Sequence, residues 1–87
     1  MAAYSVVLKA SAAKEVENLA TKKERQRIVA RIRALTAEPR PPGCEKLTGA
    51  TEHYRIRQGD YRVVYSIDDR ERLVVVVKVG HRKDVYR

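Results

Sequence analysis

Two runs of alternating apolar and basic residues, Tyr54-Arg55-Ile56-Arg57 and Tyr61-Arg62-Val63, flank Gln58-Gly59-Asp60. No other stretch restricts the fold as much. Alternation with a period of two is a half-buried strand, and a Gly-Asp pair between two such strands is a hairpin signal. With Gly59-Asp60 as the two-residue turn, Gln58 faces Tyr61, Arg57 faces Arg62, Ile56 faces Val63 and Tyr54 faces Tyr65. One face of the ribbon is core. The other carries Arg55, Arg57 and Arg62 together. Like charges directly across a strand pair are destabilising. A chain that keeps three guanidinium groups side by side is equipped for an anion, and phosphate suits their fork geometry.

The rest of the chain supplies cover for the apolar face. Tyr4 to Leu8 reads as an opening strand. Ser11 is placed to cap a short helix reaching about Leu19, with Ala12, Val16 and Leu19 on one face. Thr21 opens a second helix, and Glu24 three residues later completes a capping box. Ile28, Ile32 and Leu35 form its inner stripe, while Lys22, Lys23, Arg25, Arg27, Arg31 and Arg33 load its other sides. Glu38-Pro39-Arg40-Pro41-Pro42-Gly43 ends it, since proline cannot continue a helix. Lys46-Leu47-Thr48-Gly49 is an approach segment, followed by strands over His53–Gln58 and Tyr61–Ile67. Asp68-Asp69-Arg70-Glu71 is a polar turn. Leu73 to Val79 contains Val74-Val75-Val76-Val77 with no polar break, which predicts a strand near the middle of a sheet and covered on both faces. Gly80 ends it, and a polar tail runs from His81 to Arg87. The predicted fold is α+β: an N-terminal strand, a two-helix hairpin, then a three-strand antiparallel meander. The helices lie on one face of a largely antiparallel sheet, leaving the arginine face open. Residues 1–87 form a single domain, with no internal repeat or low-complexity tract.

The charge balance agrees with an anionic partner. Nineteen Lys and Arg stand against 11 Asp and Glu, a formal +8. Nucleic acid is the first candidate, an acidic protein the second and a membrane surface the third. No apolar stretch is long enough to span a bilayer and no signal-peptide pattern opens the chain. The lone Cys44 excludes an internal disulfide, and with His53 and His81 it shows no ligand spacing, so neither a structural metal nor a cofactor is expected. The chain reads as cytoplasmic.

The motifs Arg40-Pro41-Pro42-Gly43, Lys46-Leu47-Thr48-Gly49, Tyr54-Arg55-Ile56-Arg57, Gly59-Asp60-Tyr61-Arg62-Val63-Val64-Tyr65 and Val79-Gly80-His81-Arg82-Lys83-Asp84-Val85-Tyr86 together resemble the RelE branch of the RelE/ParE toxin superfamily. The resemblance covers nearly the whole chain, with the motifs in family order. It implies a toxin of a type II toxin–antitoxin pair, a metal-independent endoribonuclease that cuts messenger RNA in the ribosomal A site. Its implied partners are a cognate acidic antitoxin, messenger RNA and the ribosome with its RNA, and no membrane. Arg55 and Arg57 stand where the family carries basic catalytic residues. Arg62 matches the arginine of the Gly-x-Tyr-Arg segment, Arg82 the arginine after the last core strand, and Tyr86 a tyrosine near the C-terminus. Some relatives have lysine at the positions of Arg55 and Arg57. Arginine hardly loses its proton, so those two steer and hold RNA better than they transfer protons.

Cleavage without metal needs a group that takes the ribose 2′-OH proton, cations that stabilise the phosphorane, and an acid for the leaving 5′-oxygen. Arg62 and Arg82 are the candidate phosphate clamps. His81 and Tyr86 are the candidate proton-transfer groups; a polar residue ending a strand accounts equally for His81, and the alternative for Tyr86 is a packing tyrosine. Lys46, His53, Arg31 and Lys83 are candidate RNA contacts, and the basic helix from Arg25 to Arg33 either forms a solvated face or docks on ribosomal RNA. Two other classes compete. A gyrase poison of the ParE branch shares the fold without the nuclease set, and a non-catalytic module only grips its antitoxin or RNA.

Overall fold

In chain order the elements are β1 (Ser5–Leu8), α1 (Ala10–Glu17), α2 (Lys22–Ala34), β2 (Glu45–Lys46), β3 (His53–Gln58), β4 (Tyr61–Asp68) and β5 (Leu73–His81). The computed structural model describes residues 3–47 and 53–81. The strands form one sheet in the order β1-β5-β4-β3-β2. β3 and β4 pair as the alternation requires: Gln58 with Tyr61, Arg57 with Arg62, Ile56 with Val63 and Tyr54 with Tyr65. Gly59 turns the chain at φ +61°, a conformation open to glycine at little cost and suited to a two-residue hairpin.

The apolar stripes meet on one face of the sheet. Ala12, Val16 and Leu19 from the first helix and its exit, and Ile28, Ile32 and Leu35 from the second, pack with Tyr54, Ile56, Val63, Tyr65, Ile67, Val74, Val76 and Val79. Thr21 caps α2 as its sequence demands. Its Oγ1 accepts from the Glu24 amide at 3.0 Å and donates to the Glu24 carboxylate at 3.1 Å. Beyond α2, the buried Tyr65 hydroxyl donates to the Pro39 carbonyl at 2.7 Å and fixes the proline loop over the sheet. Burial pushes this phenol's pKa above its ordinary range.

Four features depart from the sequence expectation. First, Ser11 does not cap α1. The N-cap is Lys9, without a side-chain cap bond. Lys9 still donates to the Val76 carbonyl at 2.9 Å, so the helix starts directly from the end of the sheet ladder and Ser11 falls inside it. Second, the sheet is mixed, since β1 runs parallel to β5 with Ser5 beside Leu73 and Leu8 beside Val76. The helical hairpin is the crossover such pairing needs. Third, the valine run lies inside the sheet yet alternates in burial. Val74 and Val76 are buried, while Val75 and Val77 are half-buried, because the helices cover one face. A register irregularity between Val64 and Tyr65 leaves Val77 opposite no residue of β4. Fourth, the approach segment contributes β2, whose Glu45 and Lys46 pair with Arg55 and Tyr54.

Candidate nucleic-acid interface

β2 is only two residues long, so toward the hairpin its pairing with β3 stops at Arg55. Past that point a groove of about 330 Å³ opens between the end of β3, the Pro42-Gly43 loop and α2. Arg31, Arg55, Arg57 and Arg62 all line it, with Ile56 and Glu45. Arg57 and Arg62 are direct cross-strand partners, which fixes their closeness. Arg31 arrives from α2, one turn before the buried Leu35.

The four arginines are held differently. Arg57 is exposed. Arg62 is 7% exposed, which corrects the expectation of a fully open arginine face. Its guanidinium folds back on its own hairpin, donating to the carbonyls of Tyr61 at 3.2 Å and Gly59 at 3.4 Å. Those bonds are long, so the group is oriented without being tightly bound. Arg55 is largely buried and pairs with the Glu45 carboxylate at 3.0 Å. The Nε of Arg31 is buried with no hydrogen-bond partner among the described residues. A buried donor without an acceptor is costly, and an anion in the groove would supply one.

Other predicted residues lie elsewhere. His53 shares the face of Arg55 by alternation and pairs with Ser66, but does not line the groove. Lys46 is exposed on β2 beside Tyr54. His81 is in register with Tyr61, whereas Arg62 is in register with Gly80. Side chains alternate along a strand, so His81 and Arg62 project to opposite faces. The His81 ring meets Tyr61 edge-on at 5.8 Å and borders a separate depression with Glu15, Asn18 and Leu19. Arg82, Lys83 and Tyr86 lie outside the described residues.

Glu45 is the residue the sequence reading missed. A strand of two residues has no periodicity to detect, and only the pairing with β3 reveals that a carboxylate sits against Arg55. A second cluster, outside the groove's lining, ties the loops together. Arg40 makes two bonds to Asp69, at 2.9 and 3.1 Å, and lies over the Tyr54 ring at 5.0 Å. Tyr4 donates to the same carboxylate at 2.6 Å. Among the described residues, no group of three or more His, Cys, Asp and Glu is placed to hold a metal ion. No helix among them is long and apolar enough to cross a membrane.

Residues 6–86 match the family model described as the ParE toxin of the type II toxin–antitoxin system parDE. A curated relative, Toxin RelG of Mycobacterium tuberculosis, is 47% identical over 34 residues. That match spans 39% of this chain and 39% of the relative's length. Similar folds occur in the toxin–antitoxin complex RelBE2 of M. tuberculosis (TM-score 0.80, 28% identity, covering 94% of both chains). The RelE–RelB complex of Pyrococcus horikoshii gives 0.78 at 28% identity, over 92% of this chain and 96% of that one. The isolated RelE toxin of E. coli gives 0.78 at 30% identity, over 97% and 92%.

Proposed function

The chain belongs to the ParE toxin family of type II toxin–antitoxin systems, within the RelE/ParE superfamily, and from that premise we propose that it is an endoribonuclease cleaving messenger RNA in the ribosomal A site. The observation that supports this most is the single groove into which two strands and a helix deliver Arg31, Arg55, Arg57 and Arg62. Fixed cations in a partly dehydrated cleft stabilise the charge that grows on a phosphorane. In this reading the ribose 2′-oxygen attacks the adjacent phosphorus, the bond to the 5′-oxygen breaks, and the products are a 2′,3′-cyclic phosphate and a 5′-hydroxyl. Arg57 and Arg62 hold the non-bridging oxygens. Arg55 and Arg31 flank them.

Proton transfer needs a group other than the strand arginines, whose protons are held too tightly. His81 and Tyr86 are the candidates for it, Tyr86 matching the family's tyrosine near the C-terminus, with Arg82 as a further clamp on the phosphate. His81 borders α1 and Tyr61, on the opposite side of the sheet from Arg62. Lys46, His53 and Lys83 serve as outlying RNA contacts. The partner in the cell is a cognate acidic antitoxin of the RelB kind, as relatives of similar fold are solved in complex with RelB. Covering a groove this basic neutralises it.

The test is expression of the wild-type chain with mapping of RNA 5′ ends, alongside purified translation reactions. Codon-phased cuts ending in cyclic phosphates are expected. Arg57→Ala and Arg62→Ala should each lower the cleavage rate by about 10²–10³, the usual loss for one preorganised contact to a developing anion. Full activity in both variants would remove the groove from the mechanism. A second reading, a gyrase poison, is favoured by the ParE description of the matching family. It requires intact messenger RNA together with DNA-damage signalling.

A further inference from the structure

α2 carries cations on two flanks, and they border different parts of the molecule. Around the helix, Ile28, Ile32 and Leu35 point to the core. On one side of them Val29 and Arg33 border an apolar-floored hollow toward β1, and with Arg25 they also line a shallow depression on the helix itself. On the other side Arg31 enters the arginine groove, and Arg27 lines a small cavity of about 60 Å³ with Gln58, Gly59, Asp60 and Tyr61 at the hairpin tip. Lys23, Arg27 and Arg31 are spaced by four residues, so they stand one above the next on this second flank. The stripe covers about 12 Å along the helix axis, at 1.5 Å per residue. That is longer than one phosphate group. It follows β3 from the groove out to the Gly59-Asp60 turn.

None of the three side chains has an ion pair among the described residues. Two carboxylates, Glu24 and Asp60, also line the tip cavity. The Glu24 carboxylate accepts from the Thr21 hydroxyl, and Asp60 sits on the exposed turn. Three cations against these two carboxylates leave the stripe net positive, and it runs on into the groove.

From this continuity the geometry points to a track for single-stranded RNA: Lys23 and Arg27 bind phosphates neighbouring the one held at Arg57 and Arg62, so that the strand runs along α2 past the hairpin tip. This rests on the reading of the groove as the RNA-cleaving site, and extends it from one phosphate to several. Charge alone suits RNA and an acidic protein alike; what favours RNA here is that α2 and the β3–β4 hairpin wall both the tip cavity and the phosphate-holding groove. The β1-side flank, with its apolar floor, lacks that connection.

The experiment measures binding of the full chain to a fluorescent 2′-O-methyl RNA of about eight nucleotides, which lacks the attacking hydroxyl, as a function of salt. Each lost phosphate contact on a single strand lowers the slope of log K against log salt by about 0.7. Lys23→Ala/Arg27→Ala should lower the slope by about 1.4, and the charge-matched Lys22→Ala/Arg33→Ala should lower it less. Thermal melts of both variants, matching wild type, establish that folding is intact. Equal losses in the two doubles would reduce the effect to net charge and overturn the track. So would an unchanged RNA slope in Lys23→Ala/Arg27→Ala accompanied by lost binding to polyglutamate, which would give the stripe to an acidic protein. Arg57→Ala separates the two levels. If it leaves the slope untouched, the groove reading itself fails; if it lowers the slope while the doubles behave alike, only the track fails.

Discussion

Arg57 and Arg62 face each other across a two-strand ribbon, and their positions follow from the glycine between them. With Gly59 at φ +61° the turn has two residues, and the register places Arg57 directly opposite Arg62. Glu45 tempers this cluster by pairing with Arg55 at 3.0 Å. An incoming phosphate competes with that carboxylate for the same donors. Glu45→Gln should therefore tighten RNA binding by up to about fivefold, the scale of a partly exposed ion pair, as read by fluorescence anisotropy. The Asp69 carboxyl offers a separate residue-level test. Hydrogen bonds from Arg40 and then Tyr4 lower its pKa from 3.8 to about 2. The unfolded chain takes up this proton more readily than the folded one, so the stabilisation is complete above about pH 4 and fades as the pH falls through 2. Acid unfolding of wild type and Asp69→Asn should converge toward pH 2 and separate above pH 4. Curves that stay parallel across that range would remove Asp69 from the acid response.

At the scale of elements, two contacts set how the helices sit on the sheet. Thr21→Ala removes the cap of α2 and should cost about 1 kcal/mol, a drop in Tm of roughly 4–8 °C for a chain of this length. Glu15 of α1 accepts from the Val79 amide at 2.9 Å and from Lys78 Nζ at 3.2 Å, beside the register irregularity of β5. Glu15→Ala leaves that amide without its acceptor and should destabilise the fold by about 1–3 kcal/mol in denaturant melts. The Thr21 cap and both inner stripes were legible in the sequence, because capping chemistry and a 3.6-residue period are local signals. The hairpin register was legible for the same reason. The parallel β1–β5 pairing and the Glu15 clamp were not, since each joins residues more than 60 positions apart. The true start of α1 was also hidden. A serine suited to capping stood within the helix, and the sheet ladder through Lys9 fixed the boundary instead. In the groove, Arg55, Arg57 and Arg62 were placed together by alternation alone, whereas the buried state of Arg62 depends on where its guanidinium folds.

For the molecule as a whole, the placement of β5 decides when the fold exists. β5 pairs with β1 on one side and β4 on the other and receives α1 across its face. A chain stopped after Arg70 keeps the arginine hairpin but strips β1 of its sheet neighbour, and it should show no cooperative melt by circular dichroism. The opening strand must wait for a strand that begins 68 residues later, from Ser5 to its partner Leu73. During synthesis the first half of the protein therefore leaves the ribosome without a finished scaffold. The cationic cleft becomes rigid only once β5 has been made, so the arginines exist as sequence well before they exist as a fixed surface.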